Sequence, residues 1–560
     1  MSRFYLGLST SGHDPALALV DEAGRIRFAE ATERFIQDKR AWGAAPDHVG
    51  HLESALTAIG FDASADDLIV STSWARVKAD LPVSVSNALL PVSDGLWLRG
   101  LQAHAQASAG DSLLRLGLTQ TAPEVRHFDH HLSHAVAACS SAPFADGLCL
   151  VIDGEGEVGA ASLFRLREGR LKRLWRSWGP GSLGTFYAWL TGLCGFDWRA
   201  GEEWKVMGLA AFGRPDEGLV DALESMLNIV DGRPRLPEQS VIDAIVARVS
   251  PHARRASDPI QQAADLAASG QAAYARLVDR ILESCTALGE RNLVLSGGCA
   301  LNSSYNGTIR GRFGFDAVHV PSAPADDGNA LGAALLSWMQ DHPQGAVTGR
   351  ESPFLGSLPD ARTIAKTVAN CGHGRITDCA GAAGPARLAE RLAAGQIIGV
   401  MRGAAEFGPR ALGHRSILAD PRPADMKDRL NQRVKGREPY RPFAPIVPAD
   451  RVGDWFDRGQ PSPYMSFTLP WKTAVRDRVP AVVHADGTGR LQTVDAASDP
   501  WMADLLTAME AQTGVPIVLN TSFNVMGKPI VHSVQDAMAV LATTGLDGVL
   551  LEDVLIEKAA

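Results

Sequence analysis

Residues 147–176 read GLCLVIDGEGEVGAASLFRLREGRLKRLWR: an apolar run closed by Asp153, a turn rich in Gly and Glu, and two more runs joined by REGR. Short apolar runs bounded by such turns predict three consecutive strands. Residues 4–31, FYLGLSTSGHDPALALVDEAGRIRFAEA, have the same grammar, with TSGHDP and EAGR as the two turns. One strand–turn–strand–turn–strand unit at the head of each half suggests an α/β domain built by internal duplication, with two unrelated meanders as the alternative. Asp153, at the end of its strand, is set to present a carboxylate at the strand's C-terminal edge; capping of its own turn is the alternative.

The chain is too long, at 560 residues, for one hydrophobic core, so several structural units are expected. Apolar residues make up 46% and charged residues 21%, a composition that buries sizeable cores. A net charge of −9 argues against a general nucleic-acid binder or a binder of acidic membranes, both of which need a basic excess. The N-terminal residues lack the pattern of a secretory signal and no apolar run is long enough to span a bilayer, so a cytoplasmic protein is expected. The seven cysteines are scattered and never spaced CxxC, which predicts small buried side chains and neither disulfides nor a zinc ribbon.

HHLSHAVAACS, residues 130–140, places His130 and His134 four apart at the start of an apolar helix, where both rings leave one face. Such a pair holds a metal only if a carboxylate joins it. Asp153 is one candidate, and one of Asp326 and Asp327 in PADDGNALG is another, although acids at a helix start also serve as caps. In LSGGCALN, Gly297 and Gly298 follow a strand and precede a helix start carrying Asn302, a turn suited to an anion. PDHVGHLESALTAIG predicts a helix capped by Asp47 and closed by Gly60. Residues 258–289, DPIQQAADLAASGQAAYARLVDRILESCTALG, predict a long amphipathic helix whose apolar stripe is core.

Residues 343–359 are rich in Pro, Gly and Ser and predict a domain boundary. Beyond it, residues 410–441 hold nine Lys/Arg and four Asp/Glu, an excess of five positive charges in an acidic protein. Six of the nine basic side chains sit in GPRALGHRS and RVKGREPYRPFAP, held on Gly- and Pro-flanked turns, where guanidinium forks suit phosphates or carbamoyl phosphate. GTGRLQTV adds Arg490 and Gln492, and LNTSFN adds Asn520, Ser522 and Asn524.

Taken together, HDPALAL, HHLSHA, VIDGEGE, KVMGLAAFG, SGGCALN, DDGNALG, GPRALGHRS, RVKGREPYRPFAP and LNTSFN closely resemble the NodU/CmcH-type O-carbamoyltransferases of nodulation-factor, cephalosporin and tobramycin biosynthesis. The resemblance implies an actin-like (ASKHA-type, duplicated) N-terminal domain over residues 1–345, a linker over 346–359 and a smaller YrdC-like α/β domain over 360–560. It also implies a reaction in which carbamoyl phosphate and ATP give carbamoyladenylate in the C-terminal domain. The carbamoyl group then passes to a small-molecule hydroxyl at the N-terminal metal site.

Carried over by motif, the resemblance makes His130, His134 and Asp326 the metal ligands, with Asp153 beside the metal or the adenylate phosphate. The metal is expected to be Fe2+, with Zn2+, Mn2+ and Mg2+ as alternatives. Gly297, Gly298 and Asn302 are expected along the nucleotide, and His13, Asp14 or Asp153 as base. Lys39, Arg410, Arg415, Lys435, Arg441, Arg490, Asn520 and Ser522 are expected to bind carbamoyl phosphate and ATP. Neither nucleic acid nor membrane is an expected partner, and a homo-oligomer is compatible with the resemblance.

An actin-like small-molecule kinase would leave HxxxH and the basic C-terminal region unexplained. A maturation-type carbamoyltransferase acting on a protein acceptor would carry zinc-finger CxxC pairs, which this chain lacks, and a tRNA acceptor fits poorly with the acidity. Acceptor selectivity is expected in residues 215–259 and in the loops around Trp189 to Trp204.

Overall fold

In the computed structural model, which describes residues 2–75, 89–346, 352–371, 374–381 and 383–559, the chain forms two compact units of mixed α/β structure. The first holds residues 1–33 and 40–351, the second residues 34–39 and 352–560. Residues 347–351 of the predicted linker lie outside the described residues.

The first unit is built on two five-stranded sheets. In one, Arg3–Leu8 pairs antiparallel with Ala16–Asp21, which pairs antiparallel with Ile26–Ala31; on its other side Arg3–Leu8 runs parallel to Asp67–Thr72, which runs parallel to Val125–His127. In the other, Gly147–Ile152, Ala161–Arg167 and Arg170–Arg176 form the same antiparallel meander, and Asn292–Ser296 and Ala317–His319 extend it in parallel. The two sheets therefore share one strand order and one pairing sense. The meander strands GLCLVI and ALALVD are buried along their whole length, which is why they read as continuous apolar runs instead of alternating ones.

The helix His130–Ser140 is capped by Asp129, whose side chain accepts the Leu132 N–H, and the helix Gly328–Asp341 packs against it. Small residues make that approach possible: a Cβ on Gly332 would stand 2.0 Å from the Ser133 carbonyl oxygen. Gly60 closes the helix Val49–Ile59 in the left-handed conformation, as expected. Asp47 does not cap it. Its carboxylate instead accepts the N–H groups of Gly110 and Ser112, so a loop some sixty residues away has claimed the acceptor that a local reading assigns to the helix.

The second unit carries a nine-stranded mixed sheet, with Ile398–Met401, Arg415–Ala419 and Val518–Ser522 near its centre. Residues 34–39 belong to it by contact: Arg34 donates to the Gly408 carbonyl and faces Glu406, and Gln37 donates to the Ile530 carbonyl. Among the described residues no helix is long and apolar enough to cross a membrane. The cysteines form no disulfide, and five of the seven are buried, as expected of small core side chains.

Candidate metal centre and cationic cluster

His130, His134, Asp153 and Asp326 converge. One ligand atom from each lies within 4.8 Å of all the others, and all four side chains are buried. His130 and His134 leave the same helix face as their spacing requires, and both present Nε2 to one oxygen of Asp153, at 3.0 and 3.2 Å. Asp326 Oδ1 stands 3.6 Å from the first ring and 3.3 Å from the second. The other oxygen of Asp153 accepts the Gly298 N–H at 2.8 Å. The Gly297–Gly298 turn thus holds a carboxylate of the centre: Gly297 has φ +87°, and a Cβ there would meet the Ile152 carbonyl oxygen at 2.3 Å.

Burial opposes the charged form of every member, and their mutual attraction overcomes it. His130 is held well above and His134 above the usual imidazole range by the Asp153 and Asp326 carboxylates, while both carboxyls are pulled below theirs by the histidines. Two ionised carboxylates facing two ring nitrogens in a dry site demand positive charge, from protons or from a cation. His130 Nδ1 lies 3.2 Å from the Ser73 carbonyl, to which its N–H donates, so Nε2 is the nitrogen turned to the carboxylates, where it meets either a proton or a cation. Two imidazoles and two carboxylates supply the donor set of a divalent metal of the iron, zinc or manganese type, and the residues fit that group.

The support around the centre includes residues that motif reading passed over. The side-chain amide of Asn329 lies against His130 Nδ1 at 3.2 Å, and Glu157 accepts the N–H groups of His130 and Ala75. Glu157 was in view inside DGEGE and Asn329 inside DDGNALG, but neither has a spacing that marks it. Asp327, the neighbour of Asp326, caps the helix Gly328–Asp341 and is pushed up to about 7 by burial, with Asp14 and Glu33 adding to it. Asn302 binds Gln271 through both ends of its amide and caps the short helix Ser303–Asn306.

His13 lies beside the centre. Its Nε2 is 3.7 Å from Asp326 Oδ2 and its Nδ1 is 2.9 Å from Asp14 Oδ2. Arg40 pairs with the same Asp14 oxygen at 2.9 Å; against the cost of burial, that guanidinium and His13 hold the Asp14 carboxyl below its usual value. Arg40, which its sequence context barely marks, is thus the residue that keeps the Asp14 carboxylate ionised beside His13.

In the second unit Arg410, Lys435, Arg437, Arg441 and Arg490 crowd one another. Arg490 is driven well below its ordinary range by burial and by Arg410, Arg437 and Arg441; Lys435 is lowered by burial, then by Arg437 and Arg441. Burial brings Arg410 down to about 10, and burial with Arg441 brings Arg437 to about 9. A cluster of like charges in a poorly solvated place creates a local positive potential that favours an anion. Arg437 is the member not singled out from sequence; its guanidinium lies over the Phe443 ring and donates to Asn431.

Other expected members of that site do structural work. Lys435 Nζ donates to the Ser522 carbonyl and, at 2.7 Å, to Asn524 Oδ1. Arg415 is fully buried and donates to the carbonyls of Arg402, Gly403, His414 and Ser357, so it clamps the GPRALGHRS turn. Asn520 donates to the Ala411 carbonyl and to Gln492. Lys39 is half-buried and belongs to this same unit.

The fold and its two clusters define an α/β protein with a metal-competent His/Asp centre in one unit and a cationic site in the other. Residues 5–335 match the family model described as carbamoyltransferase N-terminus, and residues 389–558 the one described as carbamoyltransferase C-terminus. The chain belongs to the carbamoyltransferase family and is an enzyme of that activity. It is 38% identical to nodulation protein NolNO of Sinorhizobium fredii, over 85% of this chain and 69% of that one. It is 32% identical to nodulation protein U of the same species, over 92% and 93%, and 31% identical to an uncharacterised Synechocystis protein, over 99% and 97%.

Proposed function

We propose that the chain is an O-carbamoyltransferase of natural-product biosynthesis, working in two steps at two sites. In the C-terminal unit, read as YrdC-like, water cleaves carbamoyl phosphate to carbamate and inorganic phosphate, a carbamate oxygen bonds to the α-phosphorus of ATP as pyrophosphate leaves, and carbamoyladenylate results, with Arg410, Arg437, Arg441 and Arg490 neutralising the phosphates. In the N-terminal unit, read as an actin-like duplicated domain, the carbamoyl group moves to a small-molecule hydroxyl. The acceptor oxygen bonds to the carbamoyl carbon, the bond from that carbon to the adenylate phosphate oxygen breaks, and AMP leaves. The domain roles follow residues 1–345 and 360–560, with residues 34–39, including Lys39, serving the second.

The observation that carries this reading is the convergence of His130, His134, Asp153 and Asp326 within the unit that matches the carbamoyltransferase N-terminus. These four would hold a divalent metal, for which Fe2+ is our first choice; when bound it supplies positive charge against the adenylate phosphate. His13 takes the proton of the acceptor hydroxyl at Nε2, because Asp14 accepts from Nδ1 and so fixes the tautomer with a bare Nε2 facing the centre. Asp14 and Asp153 are poorer bases: Arg40 holds the first ionised, and both oxygens of the second are engaged. The test is to incubate the protein with ATP, carbamoyl phosphate and a panel of hydroxylated natural products, and to follow product mass and AMP. Pyrophosphate and AMP without any carbamoylated product, across a wide panel, would count against an O-acceptor.

A further inference from the structure

A groove of about 890 Å3 opens in the N-terminal unit between the end of the strand Arg170–Arg176 and the segment running from Arg233 to Ile242. Trp175, Arg176 and Trp178 form one side, and Arg233 and Arg235 stand on the other. Three arginines and no acidic residue line it, in a chain whose net charge is −9.

Two of its three arginines are held in place. The guanidinium of Arg176 lies 4.7 Å from the ring centre of Trp178, and that of Arg233 5.5 Å from the ring of Trp175. A guanidinium laid on an indole keeps the N–H groups around its edge, so a flat, fixed fork is presented to an anion. Arg233 and Arg235 form no ion pair among the described residues, and Arg235 is exposed. Trp178, 60% exposed, adds apolar surface to that of Pro180, Leu236 and Ile242.

The groove lies at the centre's end of its sheet. Arg176 is in register with Ser162, and the neighbouring Ala161 is in register with Ile152, which precedes Asp153. Two strand spacings separate the groove from Asp153, about 10 Å. Arg176 also pairs with Asp129, the cap of the helix that bears His130 and His134, at 3.4 Å. Pro180 in its wall is two residues from Ser182, whose hydroxyl donates to the Gly154 carbonyl at 2.7 Å.

We infer that this groove is a second binding site of the N-terminal unit, receiving a carboxylate or phosphate ester carried on a sugar or aromatic ring. The anion takes the forks of Arg233 and Arg235, and the ring lies along the Trp178 edge. Its second wall comes from the 215–259 excursion, so the site sits where acceptor selectivity was expected. Such a ligand is either the acceptor's own anionic part or a separate effector; binding stands apart from the transfer reaction, and only the turnover arm below rests on it.

The experiment is calorimetric titration of the full-length protein with phenyl β-D-glucuronide and with phenyl β-D-glucoside, its uncharged counterpart. The glucuronide should bind more tightly by about ten-fold or more, and this preference should vanish in Arg233→Ser/Arg235→Ser and in Arg235→Ser alone. An unchanged thermal midpoint certifies the fold, and Arg235, being exposed, is the substitution that leaves it intact. Adding ATP and carbamoyl phosphate separates the sources: carbamoylated glucuronide with a KM raised in the variants marks an acceptor subsite, and binding without consumption marks an effector site. Equal affinity for the two glycosides, no glucuronide binding at millimolar concentration, or a preference retained in the variants overturns the inference.

Discussion

His13 Nε2 stands 3.7 Å from Asp326 Oδ2, with the other ring nitrogen held by Asp14. A histidine oriented by a carboxylate and aimed at a metal-competent centre has the geometry of a base beside an electrophile. Removal of the base should slow acceptor carbamoylation by roughly 10^2- to 10^4-fold. His13→Ala should do so while pyrophosphate release in the adenylation step persists, and Asp14→Asn should cost a similar order by freeing the tautomer. Rate measurements of both steps on each variant check this; equal loss of both steps would remove His13 from the transfer role.

The Asn329 amide touches His130 Nδ1 rather than the centre itself. Outer partners of metal-bound histidines usually tune affinity by about 10- to 100-fold. Asn329→Ala should therefore weaken metal binding by that order without abolishing it, whereas Asp326→Ala should empty the site. Metal content after dialysis against a graded series of chelator concentrations reads the difference. Equal retention in all three proteins would show that no metal resides there.

The crowding of Arg490 by Arg410, Arg437 and Arg441 places like charges where solvent screens them poorly. Arg490→Met should raise the stability of the unliganded protein by on the order of 1 kcal/mol while lowering adenylate formation. Carbamoyl phosphate should stabilise the parent protein, by about 2.7 kcal/mol at a hundred times its dissociation constant, and the variant less. Thermal unfolding with and without the ligand tests both halves. A variant that is less stable and equally active would contradict the electrostatic reading.

His414 is buried, stacked on Phe354 at 3.5 Å, and donates Nδ1–H to the Ala404 carbonyl. Burial, with Arg402 adding, brings its pKa down to about 4. The unfolded chain, near 6.5, then binds more protons than the folded one between about pH 6.5 and 4, so His414 makes stability fall as pH drops through that window and has no effect above it. Denaturant midpoints measured at several pH values should decline less steeply in His414→Gln than in the parent. An identical slope would mean that His414 is already protonated in the fold.

Much of this architecture is legible in the sequence because the signals are local. The two meanders announce themselves through apolar runs and Gly-containing turns, and His130 and His134 through a four-residue spacing that helix geometry turns into a shared face. Asp153 is legible because it ends a strand. What escapes is set by partners remote in sequence. Asp47 looks like a cap until the loop at Gly110 and Ser112 takes its carboxylate, and residues 34–39 give no sign that they pack with the C-terminal unit. A run of arginines likewise does not say which way each fork points: Arg415 is consumed by carbonyls while Arg490 is left among other cations. Gly298 reads as a phosphate cradle, yet its N–H is spent on Asp153.

The central claim is that activation and transfer are separate, with transfer confined to the His130, His134, Asp153 and Asp326 centre. The most direct test follows pyrophosphate release and carbamoylated product in one reaction, for the parent protein and for His130→Ala with its fold verified by thermal unfolding. His130→Ala should still release pyrophosphate from ATP and carbamoyl phosphate but form no carbamoylated product. Product formed at the parent rate by the folded variant would contradict it.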